Sequence, residues 1–158
     1  MKKIILLSVI AFAFCTASIG QGMSAKAKKN WEVNTAIMKA YMAGDFSKMK
    51  EYIAADAVDH GGETGDIKGV DNIITEMKRY HDMMPDATYV VVKEVADDEY
   101  VFSWTKVTGT MNGKKMTMTS IDVAKFKDGK AVEHWVFMDP KELMQMMPPP
   151  PAPEEKKN

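Results

Sequence analysis

Two residues in the stretch SIDVAKFKDGKAVEHW, residues 120–135, are of types that can do chemistry. Asp122 interrupts one apolar strand pattern and His134 interrupts the next, where β-branched or aromatic residues would ordinarily stand. A carboxyl group shut in an apolar pocket tends to keep its proton and can donate it to a developing enolate oxygen. A neutral imidazole can take a proton from a carbon beside a carbonyl. Whether the two meet depends on the turn between them. If Asp128–Gly129 is a two-residue turn, Asp122 lies opposite Trp135 and His134 faces away. If Lys127–Asp128–Gly129 is a three-residue loop with Gly129 as a left-handed bulge, Asp122 lies opposite His134. A one-residue slip turns every side chain over, and the residues alone leave both registers open.

The remaining histidines are His60, in VDHG, and His81. His81 closes a helical stretch, where a partly charged imidazole favours the helix dipole. His60, Asp122 and His134 are ligand types for zinc or iron, but no H-x-x-x-H or H-x-D spacing joins them. No metal and no cofactor is expected. Methionine is abundant, with 15 in the chain. Met116 and Met118 alternate with threonine, which fits an adaptable inward strand face better than a soft-metal site.

The elements that must position these residues follow from periodicity. Apolar residues at helical spacing predict helices over 30–43, 46–54 and 70–82. Residues 57–60 read as a short strand running into the GGETGD loop. The period then becomes two, with strands over 88–95, 100–111, 116–126 and 130–138 joined by DD, NGK and KDG turns. Pro140 starts a last short helix. Helices first and an antiparallel meander after them predict an α+β fold.

The chain has 158 residues with 46% hydrophobic, enough for one ordinary domain. Residues 1–20 have a short basic start, an apolar run and small residues before Gly20–Gln21, the layout of a secretory signal peptide. The expectation is therefore a secreted or periplasmic protein cut near Gly20–Gln21, with no membrane attachment after cleavage. Cys15, the only cysteine, lies in that segment, so no disulfide is expected after it. Residues 21–29 read as a linker, 30–147 as the domain, and 148–158 (PPPPAPEEKKN) as a proline-rich charged tail of disordered, extended character. A formal charge of −1 without long basic runs argues against nucleic acid as a partner.

The order of elements, with YMAGDFSKMKEYIAADAVDHG, GDIKGVDNII and SIDVAKFKDGKAVEHW, resembles the SnoaL-like branch of the nuclear transport factor 2-like superfamily. The resemblance covers residues 30–147. It implies a cone-shaped fold, a curved antiparallel sheet wrapped around three helices, with a pocket at the wide end. It puts Asp122 at the acid position of the cyclases and isomerases, and His60 at the position of the isomerases' carboxylate base. It turns His134 and Met138 inward, which favours the bulged turn. The implied pocket is lined by His60, Ser120, Asp122, His134, Met118 and Met138. The isomerases' oxyanion tyrosine is matched by Ile37, with Tyr41 only a neighbour, and the cyclases' second histidine has no counterpart.

Binding of a small apolar, carbonyl-containing molecule is therefore expected before any known catalysis. The alternatives are isomerase- or cyclase-type proton transfer, with His60 as base and Asp122 as acid, and an interaction protein without a ligand. Tyr100, Phe102 and Trp104 share one strand face, and Trp135 and Phe137 share another. Such aromatics on the convex face predict a homodimer through the sheet, unless helices or the tail cover them.

Overall fold

The structure is a computed structural model, and it describes residues 22–62 and 64–146. The expected signal peptide with Cys15, and the proline-rich tail, lie outside the described residues. Among those residues no helix is long and apolar enough to cross a membrane.

The first helix, α1, runs Ala25–Met42. It starts five residues before the predicted position, because Ser24 caps it by accepting a hydrogen bond from the Ala27 amide at 3.0 Å. Most of the supposed linker is thus helix. Its inner side carries Ala27, Asn30 and Val33, all buried. Gly44, at φ 64°, ends the helical path. The second helix shrinks to one turn, α2 (Met49–Tyr52), because Ile53 already begins strand β1, Ile53–Asp59. A two-residue strand, β2 (Ile67–Lys68), returns against β1 before α3, Val70–Met83.

The four long strands fall where the period-two pattern put them: β3 (Thr88–Ala96), β4 (Tyr100–Met111), β5 (Lys114–Lys127) and β6 (Lys130–Met138). Asn112–Gly113 and Asp128–Gly129 both have positive φ at the two central positions, the backbone of a tight primed hairpin turn. The last helix, α4, is Pro140–Met146.

The sheet has six strands in the order β2-β1-β6-β5-β4-β3. It is antiparallel except where β1 runs parallel to β6, a departure from the all-antiparallel expectation. The helices lie on its concave side. Alternation along β4 and β5 sends Val101, Ser103, Thr105, Val107, Met116, Met118, Ser120 and Phe126 inward. These residues feed two separate apolar clusters. One gathers Val33, Met49, Ile53, Ile73, Val101 and Phe126 under α1 and α3. The other gathers Met84, Val107, Met111, Met116 and Met118 where β4 turns into β5.

Candidate functional site

A band of polar side chains crosses the concave face between the two apolar clusters. The β4–β5 register pairs Thr105 with Ser120 and Ser103 with Asp122. On Asp122, Oδ2 accepts from the Ser120 hydroxyl at 2.7 Å and from the Thr105 hydroxyl at 3.2 Å. Its other oxygen faces His134, with Nε2 to Oδ1 3.7 Å, an ion-pair distance long for a hydrogen bond.

The hairpin that brings His134 there matches neither register derived from sequence. The turn is the two-residue one, with Lys127 paired to Lys130. That alone would turn His134 away. The register shifts between Lys125 and Phe126, leaving Val132 as an extra residue in β6. This bulge restores the phase, so Ala124 pairs with His134 and Asp122 with Val136. Asp122 and His134 are diagonal neighbours on one face, as the resemblance implied, rather than directly opposed.

The other nitrogen of His134 belongs to a residue that the sequence reading passed over. Nδ1 lies 3.2 Å from Asp59 Oδ2, because the parallel register of β1 and β6 pairs Asp59 with His134. Asp59 is also held by the Gly61 amide at 2.7 Å. A Cβ on Gly61 would stand 2.9 Å from Val136 Cγ1, so a glycine lets the loop fold this close. The period-two signal was available: Ala57 is buried, and two residues on the chain returns to the same face.

His60 therefore points the other way. Its ring stacks on Trp135 at 4.8 Å, on the outer side of the sheet. Nδ1 lies 2.9 Å from Asp66 and Nε2 3.4 Å from Glu133, which also takes Lys125 Nζ at 2.7 Å. The structure separates His60 from Asp122 by the thickness of the sheet, because adjacent strand residues face opposite sides. Of the expected lining, it brings together Ser120, Asp122 and His134, with Met118 inward and Met138 paired to Ser120.

Tyr41 of α1 and Tyr89 of β3 complete the interior. Their rings meet edge to face at 5.7 Å. Burial pushes both phenols above their ordinary value, the neighbouring Tyr41 adds to the rise at Tyr89, and the charge of Asp122 adds to both, so both stay protonated donors. Burial alone would lower His134, but the carboxylates of Asp122 and Asp59 beside it raise it to about 9. Burial would raise Asp59, yet its contact with His134 and the Gly61 amide hold it below the ordinary carboxylate value. Among the described residues, no group of three or more His, Cys, Asp or Glu side chains is arranged to hold a metal ion.

Beside this band a second polar cluster fastens α1 to the sheet. Glu94 accepts from Asn34 Nδ2 at 2.9 Å, from the Ser103 hydroxyl at 2.7 Å and from the Trp31 indole N–H. All its partners are side chains of the fold, so it reads as a positioning anchor.

Comparison with known proteins agrees with this architecture. The chain superposes on a protein from Jannaschia sp. CCS1 assigned as a SnoaL-like polyketide cyclase, with a TM-score of 0.72 and 16% identity, covering 82% of this chain and all of that one. It is similar to Bal32a from a soil-derived mobile gene cassette (TM-score 0.65, 22% identity, 72% of this chain and 91% of that one). It is also similar to an LEH-like epoxide hydrolase from M. tuberculosis (TM-score 0.66, 14% identity, 77% and 90%). At these identities the likeness is one of fold, the cone of the nuclear transport factor 2-like superfamily. None of the curated proteins matches the chain. The model of the SnoaL-like domain family matches residues 35–134, most of the described fold and every residue of the polar band, and the chain belongs to that family.

Proposed function

We propose that this chain is an exported binding protein for a small, apolar, uncharged molecule that presents a carbonyl or hydroxyl group to Asp122, His134 and the Tyr41–Tyr89 pair. One observation carries the reading: polar side chains stand in a band between two apolar clusters on the concave face. An apolar ligand body suits the methionines of the second cluster, and its polar atom suits the band. Charge sets the ligand class. The band holds two carboxyl groups, Asp59 and Asp122, for one imidazolium, and no lysine or arginine is among the contacts described for them. An acid would enter without a cation to meet it. Export rests on the signal-peptide pattern of residues 1–20.

A second reading is favoured by the gap of 3.7 Å between Asp122 and His134. A substrate or water oxygen placed there would meet an acceptor and a donor together, with Asp59 holding the ring behind. Acid–base chemistry would then run through Asp122 and His134, and not through His60. For the outer face, the aromatic residues of the sequence suggest a second copy of the chain, which mass by light scattering would detect.

The test is a thermal-shift panel of neutral ketones and alcohols of steroid, terpenoid and aromatic polyketide type, set against matched carboxylic acids. Binding to the folded state alone raises the melting temperature by mass action. Wild type and His60→Ala should be stabilised by a neutral ligand, and Asp122→Asn should lose the effect. If only acids stabilise the protein, or Asp122→Asn responds like wild type, the reading fails. Turnover of the ligand that binds would promote the second reading over the first.

A further inference from the structure

The outer face of the sheet carries more exposed apolar surface than the interior site explains. Phe102, Trp104, Ile121 and Phe137 stand on it, with Val90 and Val95 towards the β3 edge. Trp104 is 46% exposed and Phe137 58%. A contiguous patch of this kind ordinarily has an occupant.

The geometry points to residues 148–155 of this same chain, laid across that face as an intramolecular cover. The place where the described chain stops is the first argument. Glu142, in α4, accepts a hydrogen bond from the Thr119 amide at 2.7 Å, just past the end of β6. That bond sets the first turn of α4 beside β5, close in sequence to Ile121 of the patch. Reach is the second. Residues 148–155 in a polyproline conformation would extend ~25 Å at ~3.1 Å per residue. Crossing from β5 over β4 to β3 takes two strand spacings, ~10 Å. Chemistry is the third. PPPPAP is a segment that needs no internal hydrogen bonds, and flat aromatic surfaces take such segments. The two glutamates that follow, Glu154 and Glu155, match Lys93 and Lys106. Lys93 is paired with Trp104 and Lys106 with Val90, so both lysines stand on the outer face. The inference does not depend on the interior ligand.

The experiment uses the full chain and a full-length variant with Pro148, Pro149, Pro150 and Pro151 all changed to serine, together with a chain ending at Met147. Acrylamide quenching of tryptophan fluorescence, binding of an apolar dye and mass by light scattering are read on each. Trp104 and Trp135 report the outer face, and Trp31 reports the interior. The full chain should be a monomer with protected tryptophans. Both variants should show at least a twofold rise in quenching, bind the dye, and associate as concentration rises. Glu154→Lys with Glu155→Lys should loosen the cover, and Lys93→Glu with Lys106→Glu in the same chain should restore it. A full chain that is already dimeric, with the same mass and quenching in the variants, would assign the face to a second copy and overturn the proposal. Unchanged quenching in a monomer would overturn it equally.

Discussion

Replacing Asp59 by asparagine tests the electrostatic account of the site. His134 is held between two carboxyl groups, 3.2 Å from Asp59 and 3.7 Å from Asp122. Together they carry it from 6.5 to about 9 against the opposing effect of burial. Removing the nearer charge should lower it by about one to two units, the ordinary effect of one opposite charge at this range. The full rise, at about 1.4 kcal/mol per unit, would be worth about 3 kcal/mol in a sealed interior. Solvent reaches 36% of the His134 side chain, which reduces a realistic figure to about 1–2 kcal/mol. The sign follows from linkage. His134 is raised on folding, so its contribution is complete below pH 6.5 and is lost as pH climbs towards 9. Asp59 is lowered, so its share is present above its unfolded value of 3.8 and is lost as pH falls through the folded one. The stability gap between wild type and Asp59→Asn should therefore be widest near neutral pH and narrow by pH 10. NMR titration of the imidazole Cε1 proton, assigned with His134→Asn, reads the shift directly, and denaturant melts from pH 5.5 to 10 read the gap. A His134 that titrates near 6.5 in wild type, or stays near 9 without Asp59, would refute the reasoning.

Two further predictions concern the walls of the site. A Cβ at Gly109 would lie 2.4 Å from Met84 Sδ and 3.1 Å from the Ala87 backbone. Gly109→Ala should thus cost about 1–3 kcal/mol in denaturant melts, as overpacking does. Added to Met84→Ala it should cost clearly less, because the pair shares one space and will not be additive. Glu94→Ala leaves the Trp31, Asn34 and Ser103 donors without their acceptor and should cost about 2–3 kcal/mol. Glu94→Gln should cost less, and Trp31 fluorescence should follow the loosening of α1.

What the residues disclosed, and what they withheld, divides along local and non-local physics. β3 to β6 were legible because alternation and the Asn-Gly and Asp-Gly turns are written within a few neighbours. β2 was not, since its two residues are too short a run to show a period, and neither was the parallel join of β1 to β6, which pairs Val58 with Glu133 and Asp59 with His134 across most of the chain and leaves no local pattern. The bulge at Val132 belongs to the same class. A tight two-residue turn argues that His134 faces outward, and only the register shift seen in the folded sheet turns it back to Asp122. The exchange of His60 for Asp59 has a different origin. Likeness to the isomerases puts the base at His60. The alternation from Ala57 already put Asp59 on the inner face. The consequence is chemical as well as positional. With a carboxyl group on either side, His134 is a cation at neutral pH, so it is suited to donate a proton rather than to take one. The same two dipeptide steps, Asp59–His60 and His134–Trp135, carry the interior ion pair on one face and the His60–Trp135 stack on the other. One short stretch of β1 paired to β6 therefore joins the polar band to the rim of the aromatic face, with the His60 amide bonded to the His134 carbonyl at 2.8 Å.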